Sequence, residues 1–254
     1  MSFEMSAFGL KGRTTLVIGG TGGIGRAIAL GYRAAGARSL VAARDRTKLD
    51  ATAEALGGGG VAYAADATAP DDLDRLAERV EADHGPLDVL VNCQGTIAIK
   101  PMLEHDEADY DRILDTNLKS VFFACQAFGR RMTARGRGSI VNVTSLAAHT
   151  GWAGAAAYGV SKWGVASLTE TLAAEWGEAG VRVNAIAPGF FLTDLNRERM
   201  PEARKEEARL NAAMRRMGEV DELVGAAVYL ASDAARFVTG ATLRVDGGYG
   251  ASGI

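Results

Sequence analysis

A chain of 254 residues with 48% apolar and 23% charged side chains can bury a large core and reads as an ordinary globular protein. A net charge of −3 gives no electrostatic pull toward nucleic acid or an anionic membrane, and no apolar run is long enough to predict a membrane span. The two cysteines, Cys93 and Cys125, lie in apolar text and are too few for a disulfide framework, so free thiols in a reducing, cytoplasmic setting are expected. The opening MSFEMSAFGLKGR lacks the charged and apolar regions of a secretory leader.

In chain order, residues 14–18 form a short apolar run ending in glycines, and residues 24–35 have helical periodicity. A second strand is predicted at 39–43, a polar turn and helix at 45–56, a glycine loop at 57–60 and a third strand at 61–65. Residues 70–83 open with Pro70 and Asp71, as helix starts do. A strand at 87–91, helical text at 108–135 in one or two pieces, and a strand at 139–144 follow. From Ala155 onward the text is rich in Ala and Leu and predicts one long helix. The remainder reads as a strand at 181–186, a charged helical stretch at 196–216, a helix at 220–231 and a last strand at 242–245.

Short, continuously apolar strands that alternate with helices predict a doubly wound α/β fold. We expect about seven parallel strands with helices on both faces, in a single domain covering 1–254. Such sheets bind ligands outside the carboxyl ends of their strands. The positions to watch are therefore 19–25, Arg44, Asp66, 92–95, Ser145 and 188–189.

After the first strand stands GGTGGIG, with Gly19, Gly23 and Gly25 spaced to turn tightly and let the backbone approach a pyrophosphate. The following helix aims its unpaired N–H groups at that anion. Where the second strand ends, an NAD-binding protein usually offers a carboxylate to the adenosine ribose, but here Ala43 precedes Arg44. A small residue followed by a guanidinium suits a 2′-phosphate and points to NADP, with NAD left open because Asp45 could approach a ribose hydroxyl. Asp66 could accept from the adenine amine or cap the next helix. Tyr158 and Lys162 are i and i+4 on the long helix, so an ammonium can sit beside a phenol and lower its pKa toward working pH.

Together GGTGGIG, Asp66, NCQG, Asn117 within DTNLKSVFF, Ser145, YGVSK, PGFFLTD and VDGG resemble the short-chain dehydrogenase/reductase family over residues 8 to about 250. The resemblance implies hydride transfer between nicotinamide and a carbonyl or secondary alcohol, without a metal. It implies Tyr158 as general acid or base, Lys162 as its tuner and ribose ligand, and Ser145 as hydrogen-bond donor to the substrate oxygen. Asn117 would hold a water linking Lys162 to solvent. Ser145 and Asn117 could instead merely cap their own turns. The implied cofactor contacts are Gly19, Thr21, Gly22, Gly23, Ile24, Gly25, Arg44, Asp66, Ala67, Asn92, Gly95, Tyr158, Lys162, Pro188, Gly189, Phe191 and Thr193.

Three positions depart from the family pattern. Ile18 replaces a threonine, Cys93-Gln94 replace Asn-Ala, and Gly22 stands where some NADP-dependent members carry a basic residue. The expected substrate pocket is Gln94, Ser145, His149, Trp152 and Phe190 under a lid at about 190–216. The texts GTIAIKPMLEH, DTNLKSVFFACQAFGR and PGFFLTDLN resemble the gluconate 5-dehydrogenase and polyol branch, which implies a sugar, sugar acid or polyol as the small-molecule substrate. A 3-oxoacyl-thioester reductase would use the same residues, and a non-catalytic NADP-binding regulator is the reading from another class. The family's habit implies a homotetramer.

Overall fold

The computed structural model describes residues 4–58 and 60–251. Seven strands form one parallel sheet: β1 (Thr14–Ile18), β2 (Arg38–Ala43), β3 (Val61–Ala64), β4 (Val89–Asn92), β5 (Gly138–Val143), β6 (Val181–Pro188) and β7 (Thr242–Val245). Their order is β3-β2-β1-β4-β5-β6-β7, so the winding reverses between β1 and β4. The register sets Ile18 beside Asn92, and Asn92 beside Asn142. Strands β1 and β4 are buried along their whole length, which is why they read as unbroken apolar runs.

Helices α1 (Gly23–Ala34), α2 (Arg46–Leu56) and α9 (Val224–Ala231) cover one face. The other is covered by α3 (Pro70–His84), α5 (Ser120–Ala134) and α6 (Ala156–Trp176). Between α4 (Glu107–Leu114) and α5 lies a π-turn, Asp115–Lys119, that splits the expected 108–135 helix at Asn117. The charged stretch also divides, into α7 (Asp194–Arg199) and α8 (Glu202–Asn211), because Pro201 cannot continue a helix. Strand β4 begins two residues later than its hydrophobicity suggests, and β6 runs two residues further, to Pro188. Among the described residues no helix is long and apolar enough to cross a membrane.

Candidate active site

The carboxyl ends of β1, β4, β5 and β6 converge, and close backbone approach shows how tightly. Gly19, at φ +78°, leaves no room for a side chain: a Cβ there would lie 2.7 Å from the backbone nitrogen of Gln94. A Cβ on Gly25 would collide with the carbonyl oxygen of Gly19. Gly23, at φ +47°, faces the Thr193 methyl, 3.2 Å from where its Cβ would be, so the loop after β6 lies across the glycine turn. Gly22 opens on empty space and N-caps α1 without a side-chain hydrogen bond, so the first turn of that helix has no capping acceptor. An open, donor-rich cradle of this kind fits a dinucleotide pyrophosphate. Thr21 and Ile24 flank it half-buried, Ile24 packing on the core.

At the end of β2, Arg44 is exposed and has no partner among the described residues. Asp45 is committed elsewhere, accepting from the backbone N–H of Lys48 as the N-cap of α2. Asp66 does not cap α3, whose N-cap is Ala69; its Oδ1 accepts from Thr68 N–H and hydroxyl instead. Ala67 packs half-buried against the core.

The second cluster is built around Gly95. A Cβ there would meet both Asn117 Oδ1 and Lys162 Nζ at 3.6 Å, so the missing side chain brings β4, the π-turn and α6 to one point. Asn117 is fully buried. Its Oδ1 accepts from Thr96 N–H at 2.7 Å, and its Nδ2 donates to Thr96 carbonyl (2.9 Å) and Ser161 Oγ (3.0 Å). Lys162 Nζ donates to the Val143 carbonyl at 2.9 Å and lies 5.8 Å from the centroid of the Tyr158 ring. Burial pushes the Lys162 amine down to about 8. Burial also pushes the Tyr158 phenol up, and a hydrogen bond with Ser145 pulls it back. The expected lowering of the phenol by the ammonium is therefore not the dominant effect, because burial outweighs what lowers it. Ser145 Oγ accepts from Ala147 N–H, so it caps its turn as well as meeting Tyr158. Cys93 stands beside Lys162, but burial raises its thiol to about 11.

Several predicted contacts point elsewhere. Gln94 turns into the interior and donates to Ser120 Oγ at 3.0 Å, so it does not line the pocket; its Oε1 is buried without a partner. Asn92 donates to Asn142 Oδ1 at 2.9 Å and to Cys125 Sγ at 3.4 Å, and its side chain braces β4 against β5. His149 packs on Trp163, ring centroids 6.0 Å apart, instead of joining the tyrosine. Trp163 is five residues past Tyr158, on another side of the helix. Phe191 is 4% exposed and packs in the core on Gly218, leaving only its backbone to the site: its carbonyl accepts from Thr193 N–H and Asn196 Nδ2. Thr193 N-caps α7. Pro188 ends β6, and Gly189 is pressed against Asp246 of the VDGG turn, which a Cβ would meet at 2.8 Å.

Trp152 and Phe190 stand together beside Tyr158. Trp152 stands edge-on to Tyr158 at 6.1 Å and to Phe190 at 5.7 Å, and Phe190 continues to Tyr249 at 5.3 Å, forming one aromatic wall. Sequence reasoning missed Tyr249, Ser161 and Arg204. Arg204 lies over the Trp152 ring, 4.6 Å from its centroid. The only sequence signal for it was its place in a charged run that reads as a solvated face.

The family model described as enoyl-(acyl carrier protein) reductase matches residues 19–250. The chain is 40% identical to D-threitol dehydrogenase of Mycolicibacterium smegmatis, over 95% of this chain and 94% of that protein. It is 36% identical to gluconate 5-dehydrogenase of Gluconobacter oxydans, over 95% of this chain and 96% of that one. Its fold is similar to the crystal structure of a gluconate 5-dehydrogenase from Burkholderia cenocepacia in complex with NADP and tartrate. That match has a TM-score of 0.93 and 34% identity, over 97% of this chain and 98% of the other.

Proposed function

The chain belongs to the short-chain dehydrogenase/reductase family, and from that premise we propose an NADP(H)-preferring oxidoreductase acting on a secondary alcohol or ketone of a sugar, sugar acid or polyol. The observation that carries this reading is the meeting of Ser145, Tyr158, Lys162 and Asn117 beside an open glycine cradle. When bound there, a nicotinamide dinucleotide supplies the hydride acceptor or donor.

The rest falls to the chain. Tyr158 takes the hydroxyl proton in oxidation and returns it in reduction. Ser145 donates to the substrate oxygen as charge develops on it. Lys162, its amine lowered by burial to about 8 and still protonated at pH 7, stabilises the phenolate and would bind the cofactor ribose. Asn117, clamped by Thr96 and Ser161, holds the π-turn open to a water that carries the proton outward. Gly19, Gly22, Gly23 and Gly25 with Thr193 would hold the pyrophosphate, and Gly95, Pro188 and Gly189 would border the nicotinamide.

The substrate class rests on the sugar-acid and polyol names of the relatives and on the Trp152–Phe190 wall, an apolar surface suited to the carbon face of a polyol chain. Assay of the purified protein with matched sugar acids and polyols against acetoacetyl thioesters tests it; turnover confined to the thioesters would reassign it as a 3-oxoacyl-thioester reductase.

Arg44, unpartnered where Asp45 is occupied as a cap, is the proposed 2′-phosphate ligand. Arg44→Ala is expected to weaken NADP binding by roughly tenfold to hundredfold, the size of a charge-assisted contact, while NAD binding stays within about twofold. Fluorescence titration with both dinucleotides measures this. Equal losses for the two would remove Arg44 from the assignment.

Residues 1–254 are read as one catalytic domain with a lid at about 190–216, working in the cytoplasm, in keeping with two free thiols. The homotetramer is proposed on the exposed apolar Phe122, Val160 and Trp163 of α5 and α6. Part of the small-residue face of α6 is already consumed within the chain, since Gly164 packs on Leu118. Sedimentation equilibrium should return four times the 26.6 kDa chain mass. A monomer mass would overturn it.

A further inference from the structure

We propose that Arg204 is a specificity residue that binds a carboxylate at the far end of the substrate's carbon chain. This rests on the dehydrogenase reading above and selects the sugar acid from within it. Arg204 is carried on α8, part of the lid, and its guanidinium stacks on the indole of Trp152. Trp152 in turn meets Tyr158 edge-on, so one ring separates the reacting phenol from the guanidinium.

Four of the cations around it in the lid are ion-paired and it is not. Arg197 pairs with Glu219 at 2.5 Å, Lys205 with Glu202 at 2.6 Å, Arg209 with Glu206 at 2.5 Å and Arg216 with Glu222 at 2.6 Å. Arg215 donates to the Leu210 carbonyl. Among the described residues no carboxylate lies within ion-pair distance of Arg204; Glu207, three residues on along α8, is no exception. Arg204 is only partly exposed, and among the described residues its charge has no counter-ion.

No described residue accepts from the Arg204 side chain, and its planar N–H fork matches a carboxylate. The pyrophosphate cradle and Arg44 lie at the ends of β1 and β2, whereas Arg204 sits on the tyrosine side of the cleft, against Trp152. The anion that fits is therefore one on the substrate, several bonds along the chain from the carbon that reacts. Arg204 already lies over Trp152, so an anion bound there would hold α8 on the aromatic wall.

The test measures kcat/KM with NADP for C4–C6 aldonates and alditols of matched configuration, which differ only in a carboxylate or hydroxymethyl end. Wild type should favour the aldonates. In Arg204→Gln the aldonate-to-alditol ratio should fall roughly tenfold to hundredfold, chiefly through KM, with partial recovery in Arg204→Lys. Arg209→Gln, on the same helix but paired with Glu206, should leave the ratio unchanged. A packing role for Arg204 would lower both activities together; an unchanged ratio, or a wild type that prefers alditols, overturns the assignment while the dehydrogenase reading stands. A wild type that oxidises neither class overturns both.

Discussion

Tyr158→Phe protein should retain less than about a thousandth of wild-type turnover, the scale of a lost general acid–base group, and still bind NADP. The substitution removes one oxygen atom. The ring keeps its edge contact with Trp152 at 6.1 Å, so the aromatic wall and the lid seated on it stay in place. Neither Cys93 nor His149 is placed to take over the proton. The Cys93 thiol is held up to about 11, and His149 is packed on Trp163. The pH profile follows from the same burial. Because the phenol is raised, Tyr158 is neutral at pH 7 in the unliganded protein. Alcohol oxidation, which needs phenolate, should speed up as pH rises; ketone reduction, which needs phenol, should be level near neutrality and fall in alkali. Stopped-flow turnover and fluorescence titration of the variant decide the matter. Near-wild-type turnover in the Phe variant would move the proton transfer to another group.

Gly25→Ala is expected to abolish measurable cofactor binding and to lower Tm by roughly 6–12 °C, from about 3 kcal/mol of overpacking. The reason is geometric. The added methyl would occupy the space of the Gly19 carbonyl, so either α1 or the turn must shift. Gly19 has no slack, because it is itself pressed on the Cys93–Gln94 backbone. The movement therefore spreads the β1–β4 switch point, where the pyrophosphate would lie. A contrasting result comes from Gly22→Ala, whose Cβ would meet open space. It should leave Tm within about 2 °C, since a surface change away from contacts costs at most about 0.5 kcal/mol. Calorimetry with and without NADP compares the two; a Gly25→Ala protein that binds NADP normally would show that the cradle tolerates a widened turn.

What the chain's text shows best is chemistry held within one element or at one strand end. The Tyr158–Lys162 pair is set by helical periodicity, which is local. The glycine turn is legible because Gly19 and Gly23 adopt positive φ and Gly25 packs against its own loop, all within seven residues. Burial of both faces made the strands conspicuous as apolar runs, and their alternation with helices indicated a parallel sheet. Element boundaries slipped by two residues at β4 and β6, and the helical text at 108–135, expected in one or two pieces, is divided by a π-turn at Asn117.

Side-chain direction at the strand ends was not legible, because its determinants are far away in sequence. Gln94 looks inward because Ser120, 26 residues on, offers an oxygen there. Asn92 is taken by Asn142, 50 residues distant, through strand pairing. Arg204 reads as one more charge in a solvated helix until the fold sets Trp152 beneath it. Sequence alone therefore determined the doubly wound fold, the glycine cradle and the Tyr158–Lys162 pair, since backbone conformation and i, i+4 spacing are properties of short segments. Tertiary structure decided which polar groups face the substrate and which face the core, since a buried donor or acceptor turns toward whatever partner the packing of distant elements supplies.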